Sequence, residues 1–154
     1  MEEDIYFMRE CIAQAQKATE AGDVPIGCVI VKDGEIIAKA HNVREKNKKA
    51  TGHAEIEAIE QASQKLGRWR LSDCTLYVTL EPCCMCAGAI INSRISRVVF
   101  ALKDAKSGAF GSVVNLNFYP LGHRPKIQSG VLEEEAEKMM KKFFQEIRNN
   151  KKSK

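Results

Sequence analysis

The 154-residue chain has no apolar run approaching transmembrane length, no internal repeat, no low-complexity segment apart from a short basic end, and no strong excess of either charge. The first absence excludes a helical membrane span, which needs about 20 predominantly apolar residues. The opening Met1-Glu2-Glu3-Asp4 is acidic and lacks the basic start of a secretory signal. The six cysteines are therefore read as reduced thiols of a cytoplasmic protein, not as a disulfide framework. A formal charge of +4 does not by itself announce a nucleic-acid protein. The charge is nevertheless clustered, with Arg44, Lys46, Lys48 and Lys49 in one segment and Arg148, Lys151, Lys152 and Lys154 in another. Such clusters are solvated surface by default and gain meaning as phosphate contacts only beside a nucleotide-processing site. The length suits one domain over residues 1–150, followed by a basic tail at 151–154. A chain of this size buries about two-thirds of its unfolded surface and needs no covalent staples.

Periodicity divides the chain into alternating elements. Ile5, Met8, Ile12 and Ala15 recur at helical spacing and predict a helix from Asp4 to Ala21, with Asp4 as its cap and Gly22 as its stop. Ile26–Val31 and Glu35–His41 read as strands joined by the tight-turn pair Asp33-Gly34. A helix follows over His53–Leu66, with Ala58, Ile59, Ala62 and Leu66 facing inward. Thr75–Leu80, a helix begun by Pro82, and Arg97–Leu102 form a βαβ unit with parallel strands. The long connection to Pro125 contains Gly108, Gly111 and Gly122 and is a candidate substrate loop. A short strand at Lys126–Gln128 and a helix over Glu133–Asn149 complete the order; Ala136, Met139, Met140, Phe143, Phe144 and Ile147 form the helix's apolar stripe, most of it expected in the core.

The residues that carry chemistry are His53, Glu55, Cys83 and Cys86. Cys83 and Cys86 fall three apart in the first turn of a helix, so both sulfurs can reach one ion, and the positive helix end favours thiolate. His53 and Glu55 are two apart, about 200° around a regular helix, and do not share a face. They converge only beyond a helix end, so two helix N-termini are expected to meet at one metal. His53, Cys83 and Cys86 supply three ligands, leaving an open position for water, as catalytic zinc requires. Glu55 is left free to move protons. Cys84 points away from this cluster, and Cys74 is placed before its strand. His-x-Glu followed by Pro-Cys-x-x-Cys is the signature of zinc-dependent nucleobase deaminases.

Beyond the metal motif, Asp23-Val24-Pro25-Ile26-Gly27, His41-Asn42, Trp69-Arg70-Leu71, Thr79 to Ile90, Ser93-Arg94-Ile95, Arg97 to Phe100, Asp104 to Gly108 and Phe143-Phe144 resemble the bacterial tRNA-specific adenosine deaminase family nearly end to end. That resemblance implies a three-layer α/β/α cytidine deaminase-like fold with a central five-stranded mixed sheet. It implies hydrolysis of the wobble adenosine to inosine in the anticodon of an arginine-accepting tRNA with an ACG anticodon, releasing ammonia. It further implies one Zn2+ per subunit, a homodimer, and the tRNA anticodon stem-loop as partner. By the same resemblance Asn42 contacts the base or the ribose at the rim of the site, Ala54 offers a backbone group near the base, Asp104, Lys106 and Ser107 hold anticodon nucleotides, and Phe144 touches flanking bases. Arg44, Arg70 and Arg148 are candidate phosphate contacts. Cys28 and Cys84 stand where the family has small aliphatic residues, which brings an extra thiol into consideration near the metal. A deaminase of free guanine or cytosine is the alternative reading, because it would use the same metal site. A second rival is an RNA-binding module that keeps zinc only for stability.

Overall fold

The computed structural model describes residues 2–152. Helix α1 (Glu2–Glu20) begins two residues earlier than its periodicity suggests, so Asp4 lies inside the first turn and does not cap it. The Asp4 carboxylate is instead buried. It accepts paired hydrogen bonds from the Arg97 guanidinium at 2.9 and 2.7 Å and a third from the Tyr77 hydroxyl at 2.7 Å. Hydrogen bonding from Arg97 and Tyr77 outweighs desolvation and holds the Asp4 carboxyl below its ordinary pKa.

Strands β1 (Gly27–Lys32) and β2 (Glu35–His41) form the expected hairpin. Asp33 and Gly34 both adopt positive φ, 52° and 75°, the conformation that matches strand twist in a two-residue turn. A short helix α2 (Arg44–Asn47), absent from the sequence reading, precedes α3 (Ala54–Leu66). Then come β3 (Cys74–Leu80), α4 (Cys84–Asn92), β4 (Arg97–Leu102), one 3-10 turn at Leu116–Phe118, β5 (Lys126–Ser129) and α5 (Glu133–Lys152). Cys74 opens β3 and does not lie before it. Helix α5 runs through Lys152, two residues into the expected tail; Ser153 and Lys154 lie outside the described residues.

The five strands make one mixed sheet in the order β2-β1-β3-β4-β5. The β1 pairings are antiparallel, and β3, β4 and β5 run parallel, as the βαβ reading requires. Strand alternation sends Cys28, Ile30, Leu76, Val78, Val98 and Phe100 to one face, where Ala54, Ala58, Ala62, Ala87 and Ile90 of α3 and α4 cover them. The intervening Val29, Val31, Tyr77, Val99 and Ala101 face Phe7, Met8, Cys11 and Ala136 of α1 and α5. The result is a helix–sheet–helix sandwich with apolar clusters on both faces of the sheet.

The apolar stripe of α5 does not behave as expected. Only Ala136 and Phe143 are buried, and Phe144 is 44% exposed. Helix α5 packs on β4 near one edge of the sheet, so the sheet covers a narrow line of the helix and the rest of the stripe borders open space.

Candidate active site

The N-termini of α3 and α4 meet at the end of the sheet where β3 finishes. His53 is the N-cap of α3, with extended backbone at φ −84° and ψ 146°; Cys83 is the N-cap of α4, at φ −75° and ψ 178°. Neither side chain caps its own helix. Pro82, expected as the first helical residue, lies one step before the cap. The turn places Cys83 itself in the extended position, which lets its sulfur swing back across the helix end. Cys86 follows one turn into α4 and is buried.

His53 Nδ1 lies 3.6 Å from Cys83 Sγ and 3.5 Å from Cys86 Sγ. All three ligand atoms fall within 4.8 Å of one another, and no second such group occurs among the described residues. Tetrahedral zinc with Zn–N of about 2.1 Å and Zn–S of about 2.3 Å separates nitrogen from sulfur by about 3.6 Å. The donor set therefore fits that ion with little rearrangement. Exposed Cys84 and buried Cys28 stay outside the group.

The electrostatics agree with a site built to exchange protons for a cation. Hydrogen bonding from Cys86 and from His53 pulls the Cys83 thiol down to about 3, while Cys86 is pushed far above the ordinary thiol range by that same contact and by burial. His53 is raised, chiefly by its hydrogen bond with Cys83. Metal binding to such a set displaces the shared protons.

Glu55, the second residue of α3, is 3% exposed, and its Oε1 has no hydrogen-bond partner. Burial pushes its carboxyl up to about 7. An unsatisfied buried polar atom costs about 1–3 kcal/mol, so it marks a place where a bound molecule is expected to supply the partner.

These groups form one end of a cleft of about 470 Å³, lined also by Val24, Ile26, Asn42, Arg44, Lys103 to Ser107, Met140 and Phe144. The sequence-predicted residues divide sharply within it. Asn42 is buried, and its Oδ1 accepts the Ala54 N–H at 2.9 Å. It thus satisfies a free donor at the start of α3, and the Ala54 N–H is engaged inside the protein. Asp104 Oδ1 accepts the N–H groups of Lys106 and Ser107 at 3.0 and 3.2 Å, so this carboxylate shapes its own loop. Lys106 and Ser107 face the cleft, as does Arg44 at the start of α2. Phe144 stands at the rim, edge-on to buried Phe143 with ring centroids 5.3 Å apart. Arg148 lies one turn further along α5 and does not line the cleft. Arg70 is not brought to the site: it follows the far end of α3, roughly 20 Å from His53 by helix rise, and rests against Trp69.

Sequence reasoning missed Met140, Lys103 and Glu81 as cleft residues. Met140 stands four residues before Phe144, so the same helical period that suggested core places both at the cleft. Asp23 was also missed in its structural role. It is buried and accepts the Glu45 N–H at 2.9 Å, capping α2 from 22 residues upstream and setting where Arg44 begins.

Comparison with known proteins narrows the reading. A family model described as MafB19-like deaminase matches residues 1–148. A tRNA-specific adenosine deaminase of Bacillus subtilis (strain 168) is 49% identical over 154 residues, covering 99% of this chain and 96% of that protein. Among solved structures, one from studies of A-to-I editing by tRNA:A34 deaminases superposes with a TM-score of 0.85 at 41% identity, covering 87% of this chain and 98% of the other. A guanine deaminase from Bacillus subtilis matches with a TM-score of 0.62 at 33% identity, over 71% of this chain and 80% of its own.

Proposed function

The chain belongs to the tRNA-specific adenosine deaminase family, and from that premise we propose that it hydrolyses adenosine to inosine at the wobble position of a tRNA anticodon, releasing ammonia. The observation that carries the reading is the unpartnered, buried oxygen of Glu55 beside the His53, Cys83 and Cys86 donors.

A zinc ion held by those donors supplies, when bound, the acidity that lowers the pKa of water from 15.7 to about 7. Two thiolates and a neutral imidazole formally cancel its charge, which makes a nearby base useful. Glu55 takes a proton from the attacking water and delivers it to N1 of the adenine ring. It then assists transfer to the departing amine, so that water and adenosine become inosine and ammonia. Burial disfavours the charged carboxylate of Glu55 and so favours its holding a proton before passing it on.

The cleft supports a single-stranded RNA substrate. Arg44, Lys103 and Lys106 bring positive charge to its walls, and Phe144 offers a partly exposed aromatic face to a neighbouring base. Single-stranded loop bases can be splayed out and inserted into such a site. The substrate we propose is an arginine-accepting tRNA with an ACG anticodon, bound by a cytoplasmic homodimer carrying one zinc per subunit. Incubation of the purified protein with that transcribed tRNA is expected to give inosine at the wobble position, together with about one zinc per chain by elemental analysis. Ammonia release from guanine or cytosine, with no inosine in tRNA, would replace this reading with that of a free-base deaminase.

A further inference from the structure

Glu81 is 2% exposed, yet no cation neutralises it among the described contacts. Its carboxylate is occupied by donors from one loop. Oε1 accepts the Asp104 N–H at 3.1 Å and the Ser112 hydroxyl; Oε2 accepts the N–H groups of Phe110 and Ser112 at 3.0 and 3.2 Å. These donors come from both ends of the segment 104–112, whose first part lines the cleft. Glu81 also occupies the step between β3 and the metal-ligand turn, and its own N–H extends the β3–β4 pairing by donating to Leu102 at 2.8 Å. A neighbouring bond, Ala109 N–H to the Pro82 carbonyl at 2.9 Å, reinforces the same join. Gly108 is where the loop passes over the carboxylate. A Cβ there would overlap the Glu81 carboxyl group and approach the Asp104 carbonyl oxygen to 2.6 Å, so only glycine permits the closure.

We propose that Glu81 is a positioning residue, a carboxylate clamp that fixes loop 104–112 against the metal-ligand turn and so holds Lys106 and Ser107 in place for the RNA. This rests on the deaminase reading above. A buried carboxylate satisfied by backbone amides is directional in a way that an ion pair is not: each donor fixes a particular residue of the loop. Losing one accepting oxygen while placing an amide N–H against a backbone N–H releases the loop without touching a metal donor or Glu55.

The test is Glu81→Gln, assayed on an anticodon stem-loop RNA. Loss of charged hydrogen bonds predicts that KM rises about tenfold while kcat falls less than threefold and metal content is unchanged. Hydrogen exchange at the Asp104, Phe110 and Ser112 amides is expected to accelerate at least about tenfold relative to amides of β3. Gly108→Ala, which strains the same contact from the loop side, is expected to raise KM similarly. The double variant should then fall short of the product of the single effects, because both act through one contact. A KM within twofold of the parent, unchanged loop exchange, or a loss carried by kcat and metal content would overturn the clamp. If the parent protein makes no inosine, the deaminase reading fails, while the exchange measurement still decides whether Glu81 holds the loop.

Discussion

Two glutamates border the same cleft, and both are almost wholly buried, at 3% for Glu55 and 2% for Glu81. Glu55 keeps an oxygen without any partner, whereas Glu81 has both oxygens engaged by backbone and hydroxyl donors. Equal burial therefore accompanies opposite hydrogen-bond states. On the readings proposed above, the carboxylate whose hydrogen bonds are complete serves the architecture, and the one left incomplete beside the His53, Cys83 and Cys86 group serves the reaction. Asp4 adds a third case, remote from the cleft, in which an arginine supplies the counter-charge.

The largest effect belongs to the incomplete member. Glu55→Gln is expected to lower single-turnover inosine formation by about 10²–10⁴-fold while the protein keeps its zinc and its RNA affinity. Loss of the metal from that variant would show that Glu55 is a ligand and would dissolve the contrast. Next comes the charge-paired member. Asp4→Asn removes one partner of a largely buried pair and should cost about 2–3 kcal/mol of stability by urea unfolding, with turnover near the optimum unchanged. Because the Asp4 pKa is depressed on folding, its stabilisation is present above the unfolded carboxylate value of about 3.9 and is lost as pH falls through the lower folded value. The acid limb of the stability curve should therefore be shallower in Asp4→Asn than in the parent.

The effects of Glu81→Gln set out above come third. Phe144→Ala should follow, raising KM for the stem-loop about fivefold with kcat preserved, the low end of a stacking contribution because the ring is only partly free. Arg70→Ala should be smallest, changing KM by less than about 1.5-fold, since its place at the far end of α3 leaves any single exposed charge weakly felt at the cleft. A large Arg70 effect would mean that RNA reaches that end of the molecule.

The parts of this arrangement that sequence could disclose are those written in local spacing. Two cysteines a turn apart after a proline, and a histidine two residues before a glutamate, are short-range statements, and the convergence of two helix N-termini followed from them. The parallel β3–β4 pair was legible for the same reason. Asp4 was misjudged as a cap because its true partners, Tyr77 and Arg97, are 73 and 93 residues away. Glu81 gave no residue-type signal at all, since three of its donors are backbone amides that any sequence supplies. Helix α2, four residues long, is too short to show a period. The stripe on α5 had the right period but an ambiguous owner, because a helix at the edge of a sheet can turn the same apolar line toward core or toward a cleft.

The reactive end of the molecule gathers the starts of α3 and α4, whereas the Gly67–Asp73 stretch at the opposite end holds an exposed tryptophan and a surface ion pair. One residue inserted between Cys83 and Cys86 would turn one sulfur by about 100° relative to the other and part the two donors. The same addition between Trp69 and Arg70 would lengthen a surface bend. For anyone wishing to attach a fluorophore, graft a fusion partner or immobilise the protein, that bend is the natural handle.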